Sequence, residues 1–399
     1  MKIQRTEQFL RAAALLAAII YSGNILAQAR PSCSVEWTGN GGNGSWSTPS
    51  NWSTHQVPGP TSDVCIPTLT TADATATRSI SVHSIQVNEG GSLLFGSGKV
   101  AIATSLTNQG FVTLDGTTLS AGSIDLSAPG EIDSLNNSSI TSPAFSNTGT
   151  VSVGTGSTLQ LAENPVQLQS GILNGGSWLV AGVLTVPSNI SQLTSQGTVV
   201  SIDGPGSAVQ DASGNNALAT VTSVGPGAVL AVFDSASLTV AQGLTSQGVV
   251  DVGSGSGGSL TVDGTYTQAL GSTTNMTAGS LSATVVSVQP GSRLQGNGTV
   301  VSSIRNNGTV APQGNLIVTG NYTQTSGGAL TEQFGSTLRV NLNATLSGAL
   351  NVTINFKHPP TVGATYTALT FGSLNGSFTS HTSGFMLTTN ANKIQVTKQ

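Results

Sequence analysis

The sequence predicts an all-β fold: a parallel β-helix closed by a Trp-rich, disulfide-bonded N-terminal cap and a C-terminal antiparallel β module. Three observations carry that expectation. From about residue 80 onward, short β-prone stretches alternate with Gly, Ser, Asn and Thr, and almost no segment has a helical period. Within a stretch the apolar residues alternate, as Val151 and Val153 do with Thr150 and Ser152, so each strand has one apolar face. A short phrase also recurs: Asn108-Gln109-Gly110, Asn147-Thr148-Gly149, Ser195-Gln196-Gly197, Ser246-Gln247-Gly248 and Asn307-Gly308, with glycine steps of 39, 48, 51 and 60 residues. Unequal steps exclude a propeller and favour a solenoid whose loops vary from coil to coil.

Residues 1–29 read as a secretory signal peptide. Lys2, Arg5 and Arg11 precede the apolar run Ala12 to Ile20, and Ala27-Gln28-Ala29 supplies the small residues of a cleavage site. That run is about half the ~20 residues needed to span a bilayer. The expectation is an exported chain from Arg30, in the periplasm, at the cell surface or outside the cell, and not an integral membrane protein. Removing residues 1–29 takes three basic groups and one acidic group from 12 and 16, leaving 9 against 15.

Residues 30–75 form the expected cap, with Trp37, Trp46 and Trp52 and both cysteines, Cys33 and Cys65. In an oxidising compartment the two cysteines favour a disulfide, which for a loop of this length adds about 3–4 kcal/mol. The alternative, a lipid anchor on Cys33, lacks the aliphatic-small-small run before the cysteine.

Residues 76–320 are expected to make on the order of 12 coils at ~20 residues each. A longer repeat supports them: Gly258-Ser259-Leu260-Thr261-Val262-Asp263-Gly264-Thr265-Tyr266-Thr267-Gln268 matches Gly314-Asn315-Leu316-Ile317-Val318-Thr319-Gly320-Asn321-Tyr322-Thr323-Gln324. Residues 321–399 are expected to close the stack. Leu350, Val352, Ile354 and Phe356 alternate with polar residues, Pro359-Pro360 breaks the run, and Thr365 to Phe371 resumes it.

These residues resemble a known family. Trp37-Thr38-Gly39, Gly44-Ser45-Trp46-Ser47, Asn51-Trp52, Pro58 and Asp63-Val64-Cys65-Ile66 are similar to the Trp-rich opening of bacterial secreted β-helix proteins. Leu294-Gln295-Gly296-Asn297-Gly298-Thr299-Val300 and Asn306-Asn307-Gly308-Thr309-Val310-Ala311-Pro312-Gln313-Gly314-Asn315-Leu316 resemble autotransporter-associated β-strand repeats and autotransporter-like adhesin passengers. Phe371-Gly372-Ser373-Leu374-Asn375-Gly376-Ser377-Phe378 is similar to their closing module. The resemblance implies a right-handed parallel β-helix outside the cytoplasm. Unlike a complete autotransporter, the chain is expected to carry no translocator barrel.

Composition narrows the function. Only 7% of residues are charged, against roughly 25% in an ordinary domain. No Lys or Arg lies between Lys99 and Arg293, where ten carboxylates do, so no surface there can track a phosphate backbone and no nucleic-acid partner is expected. His55, His83, His358 and His381 are scattered without metal-ligand spacing and read as solvent-facing loop residues. Gly96-Ser97-Gly98-Lys99 lacks the leading Gly and trailing Ser/Thr of a phosphate loop and reads as a turn. Asp251-Val252-Gly253-Ser254-Gly255-Ser256 lacks the second acidic ligand of a calcium loop. No cofactor and no metal are expected.

Two site readings stand beside these exclusions. Glu131 and Asp133, at i and i+2 of a strand, point to the same side about 7 Å apart, which is compatible with acid/base work on a glycoside, as in a polysaccharide lyase or hydrolase. Trp37, Trp46 and Trp52 offer flat faces for stacking a glycan, or else pack the cap. No catalytic residue is assigned. The expected function is that of an adhesin-like or structural protein presenting a polar Ser/Thr/Asn surface to glycans or surface proteins, with the enzyme and the carbohydrate-binding protein as alternatives.

Overall fold

The computed structural model describes residues 33–74, 79–194, 197–354 and 357–399. The signal-peptide reading, residues 195–196 of the recurring phrase and Phe356 lie outside the described residues. Residues 33–399 form a parallel β-solenoid of about 14 turns with essentially no helix.

Each coil contributes strands to three faces. The first face starts at Thr71–Ala74 and continues through Ser92–Phe95, Phe111–Asp115, Glu131–Leu135 and Thr150–Val153, always in parallel register: Glu131 sits opposite Phe111 on one side and Thr150 on the other. The same ladder runs on to Ala329–Gln333, Ala349–Thr353 and Ser380–His381. The second face starts with Val35–Glu36 on Asp63–Ile66, and the third with Ser79–Val82. The longest strands, such as Thr273–Val288, turn a corner through a register shift. Coil length follows the first-face partners: from Arg293 to Thr309 is 16 residues, and from Ala349 to Ser380 is 31. The glycine phrase recurs every second coil up to Gly248 and after three coils at Gly308, so its uneven steps reflect both coil length and coil number.

Inward positions stack into one core because period-2 alternation places them on one side of every rung. Val112, Ile132, Val151, Trp178, Val200, Leu230 and Val250 occupy one such stack, each no more than 2% exposed. The recurring Asn-x-Gly phrase marks a corner. Asn108 accepts the N–H of Gly110 (3.0 Å) and donates to the carbonyl of Glu131 in the next coil (2.7 Å); Asn306 repeats both bonds with Gly308 (3.1 Å) and Ala329 (2.9 Å). Both asparagines are fully buried, and each satisfies backbone groups that the turn removes from the ladder. Glycine is required here because a Cβ on Gly110 or Gly308 would collide with a carbonyl oxygen of the preceding coil. The longer repeat has the same kind of meaning. Tyr266 and Gln268 both bond Thr274 (2.6 and 2.7 Å), while Tyr322 donates to Gln324 (2.6 Å), so each copy of Tyr-Thr-Gln builds a buried polar bridge.

The N-terminal end is closed as expected by the Trp cluster and the Cys33–Cys65 disulfide, whose Cα atoms are 5.7 Å apart. The bond staples the first rung, where Val35 and Glu36 face Val64 and Cys65. Trp52 packs edge-on against Trp37 and Trp46, with centroids 4.9 and 4.6 Å away, and its indole N–H donates to the carbonyl of Trp46 (2.7 Å). Buried Asn51 pins the preceding loop by accepting from Gly41 (2.7 Å) and donating to Asn43 (2.9 Å) and to the carbonyl of Ser45 (2.8 Å).

At the other end the boundary differs from the expectation. The parallel ladder passes through residue 320 and reaches Leu350 opposite His381. At this end antiparallel pairing joins Lys393–Lys398 to Thr365–Thr370 and to Phe385–Thr389. Alternation at Leu350, Val352 and Ile354 suits a hairpin and a solvent-facing solenoid strand equally, which is why sequence placed the boundary too early.

Candidate functional site

The outer surface of the first face carries the most chemistry. Its outward acidic residues are Asp73, Asp115, Glu131, Asp133, Asp203 and Asp251, each between two buried neighbours or at a strand end. Glu131 and Asp133 lie side by side and half-buried, as their spacing requires. Burial and then the negative charge of Asp133 push the Glu131 carboxyl up; burial pushes Asp133 up against the lowering effect of a hydrogen bond with Ser152. Phe111, 50% exposed, sits directly opposite Glu131 in the preceding coil. Asp115, at the end of that same strand, accepts from Asn136.

A second carboxyl pair escapes sequence reading. Asp203 ends its strand opposite Phe233, which brings it to Asp234 at the turn that follows. Burial and the neighbouring Asp234 push Asp203 up to about 6. Asp234 stands at φ +46 and accepts the N–H of Ser256 (3.2 Å). The two acids are 31 positions apart, and only the coil register between Val199–Asp203 and Val229–Phe233 brings them together.

Beyond Asp251 the face changes. Asp251 accepts from Asn275 (2.6 Å), Asn275 from Gln295 (2.7 Å), and Gln295 from the Nε of Arg293 (2.5 Å), so a hydrogen-bonded chain links three coils and ends on a guanidinium. Next to it lies a groove of about 180 Å³, walled by Arg293, Gln313, Thr331, Gln333 and Thr353 over a floor of Ala311, Pro312 and Ile354. From Thr273 on, the described outward residues of this face include no carboxylate.

The other candidates are placed as follows. Trp37, Trp46 and Trp52 are 2%, 1% and 0% exposed, so the glycan-stacking reading is corrected: their faces are spent on one another, and the cap-packing alternative is the one observed. His83 is not an isolated loop residue, since its Nδ1 lies 2.7 Å from Asp63, which also accepts from Ser84 (2.6 Å). The Ser84 hydroxyl first and His83 second hold Asp63 below the usual carboxylate range. His55, His358 and His381 are exposed. Lys99 belongs to a third-face strand opposite Ser79 and Thr118, as the turn reading of Gly96–Gly98 allows. No group of three or more His, Cys, Asp or Glu side chains able to hold a metal occurs among the described residues.

Glu332 is the residue that sequence reasoning missed altogether. It points inward, 0% exposed, between Leu330 and Phe334. One carboxyl oxygen accepts from the Tyr366 hydroxyl (3.3 Å), while the other is buried without a partner. Burial drives its carboxyl well above the ordinary 4.5.

No protein-family model, curated protein or solved structure matches the chain. The fold, a parallel β-solenoid with a disulfide and a Trp cluster at its N-terminal end, is consistent with the parallel β-helix that the resemblance implies. No helix among the described residues is long and apolar enough to cross a membrane.

Proposed function

We propose that the chain is an exported, surface-associated β-solenoid of the autotransporter-passenger type that works by presenting its outer faces to glycans or neighbouring proteins, as an adhesin or structural stalk. The observation that carries this reading is the pair of properties the ladder combines: an uninterrupted backbone scaffold, and outward positions filled by Ser, Thr, Asn and Gln in register from coil to coil. Such a surface offers hydrogen-bond donors and acceptors in rows ~4.8 Å apart, a spacing suited to extended polymers. The disulfide supports an oxidising compartment.

A second reading has one observation in its favour. In Glu131 and Asp133 a raised acid stands beside another carboxylate on an open face, the pattern used for general acid/base chemistry on glycosides. One experiment separates the two: incubating residues 30–399 with a panel of polysaccharides, scoring retention on the polymer and the appearance of new chain ends. Retention without new ends is the expected result. New ends that vanish in Glu131→Gln or Asp133→Asn would replace the adhesin reading with the enzyme.

A further inference from the structure

The ionised groups are divided unequally along the solenoid. Of the chain's 16 carboxylates all but Glu7 and Glu332 fall between residues 30 and 292, where only Arg30, Arg78 and Lys99 oppose them. From residue 293 to 399 the order reverses: Arg293, Arg305, Arg339, Lys357, Lys393 and Lys398 face a single acid, Glu332. That acid is buried and points inward, away from the surface on which Arg305 and Arg339 stand.

The register shows where the cations stand. Arg293 is on the first face at the groove, Arg305 is exposed on the second face opposite Thr323, and Arg339 is exposed on the third. Thr370 pairs with Arg339 on one side and with Lys393 on the other, which puts two like charges two strands apart. Neither they nor Arg293 and Arg305 form an ion pair with a carboxylate among the described residues. A solenoid that placed cations only for solubility would balance them with neighbouring acids, as the rule for mixed surfaces has it. For Arg293, Arg305, Arg339 and Lys393 the balancing charge is left to something outside the protein.

Resting on the surface-contact reading above, we propose that the C-terminal coils, residues 293–399, are the end that binds an anionic polysaccharide bearing carboxylate groups, with Arg293 and its groove as the principal contact. Arg293 carries a planar fork that matches a carboxylate, while Gln313, Gln333, Thr331 and Thr353 offer amides and hydroxyls to sugar hydroxyls around it. The hydrogen bond from its Nε to Gln295 fixes the guanidinium and leaves the outer nitrogens for the ligand. Residues 30–292, rich in carboxylates, would repel the same polymer, so binding at one end orients the solenoid and leaves the acidic coils extended from the surface. The N-terminal rung is covered by the Trp cap, which disfavours edge pairing with a second copy at that end.

The test compares retention of residues 30–399 on polygalacturonate and on neutral dextran at low and raised salt. Expected are retention on polygalacturonate alone, release by salt, and a loss of about tenfold or more in affinity for Arg293→Gln/Arg305→Gln/Arg339→Gln. Arg293→Gln alone should weaken binding more than Arg305→Gln, which lies away from the groove. Circular dichroism melting unchanged in all three variants establishes that the fold is kept. Equal retention on dextran and polygalacturonate, or an unaffected triple variant, overturns the charge-based inference and leaves the surface-contact reading standing. Retention on neither polymer, with salt-sensitive self-association in sedimentation, would assign the cations to a second copy and overturn the proposal.

Discussion

The two ends of the solenoid are closed by opposite chemistry. At the N-terminal end a disulfide, three buried indoles and the Asp63–His83–Ser84 cluster hold the first rungs. At the C-terminal end three antiparallel strands cover a core that contains a buried carboxyl, Glu332, beside Tyr366 and Phe334. The signs of the pH response differ accordingly. The folded state holds Asp63 below its ordinary 3.8, so its contribution is present above that value and is lost as pH falls through the folded value. The folded state holds Glu332 far above 4.5, so its contribution is complete below 4.5 and is lost as pH rises toward the folded value. In a stack where each coil touches only its neighbours, such differences stay local. One protein can therefore fray from its N-terminal end in acid and from its C-terminal end in base.

The largest test of this contrast removes the aromatic closure. Trp52→Ala deletes a side chain with 0% exposure and leaves Trp37 and Trp46 without their shared partner, at a cost of about 3–5 kcal/mol. Hydrogen exchange should accelerate in the coils up to about residue 115 and stay slow beyond residue 250; uniform acceleration would show the solenoid to be one cooperative unit and break the comparison. Cys33→Ser/Cys65→Ser comes next, at about 3 kcal/mol on the same coils. Its effect should be reproduced by reductant on the unmutated chain, and a C-terminal effect of reductant would count against a local role.

How much of this was legible in the sequence depends on whether a feature is periodic. Alternation at Thr150–Val153 and the unequal glycine phrase were enough for a parallel solenoid with outward loops, because both follow from backbone geometry alone. The Asn-x-Gly and Tyr-Thr-Gln repeats were visible as phrases, but that Asn108, Asn306, Tyr266 and Tyr322 point inward follows only from their register with the next coil. The cap was recognised from clustered Trp and Cys, whereas burial decided between packing and sugar stacking. Asp203 and Asp234 could not be paired before the intervening coil was known to be 30 residues long. Glu332 did leave a signal: Leu330, Glu332 and Phe334 alternate with Thr331 and Gln333, and period 2 puts the carboxyl on the apolar side.

Glu332→Gln is the sharpest probe of the C-terminal end. It keeps the shape, supplies a group that needs no proton, and removes the cost of ionisation. Stability should rise at neutral pH and be unchanged below pH 4.5, because the raised carboxyl is replaced by a group that does not titrate. The gain should appear as slower exchange after residue 329. A variant less stable than the parent at neutral pH would show that the carboxyl is ionised and needed in that form, and would reverse the assigned sign.

The smallest expected effect lies in the wall between the ends, and it decides whether pH loss can be read as an end effect at all. Glu131, Asp133, Asp203 and Asp251 are all pushed up by burial, so their contributions also fall as pH rises, with the same sign as Glu332. They are only part-buried, so solvent screening discounts each contribution relative to that of Glu332. Asp133→Asn removes the like charge beside Glu131 and should bring the Glu131 carboxyl down toward its ordinary value in an NMR titration, with little change in melting temperature. If Asp133→Asn instead removed most of the loss between pH 4.5 and 8, the pH response would belong to the acidic wall. If it leaves that loss intact while Glu332→Gln abolishes it, the response belongs to the C-terminal closure, where the only carboxyl is out of reach of solvent.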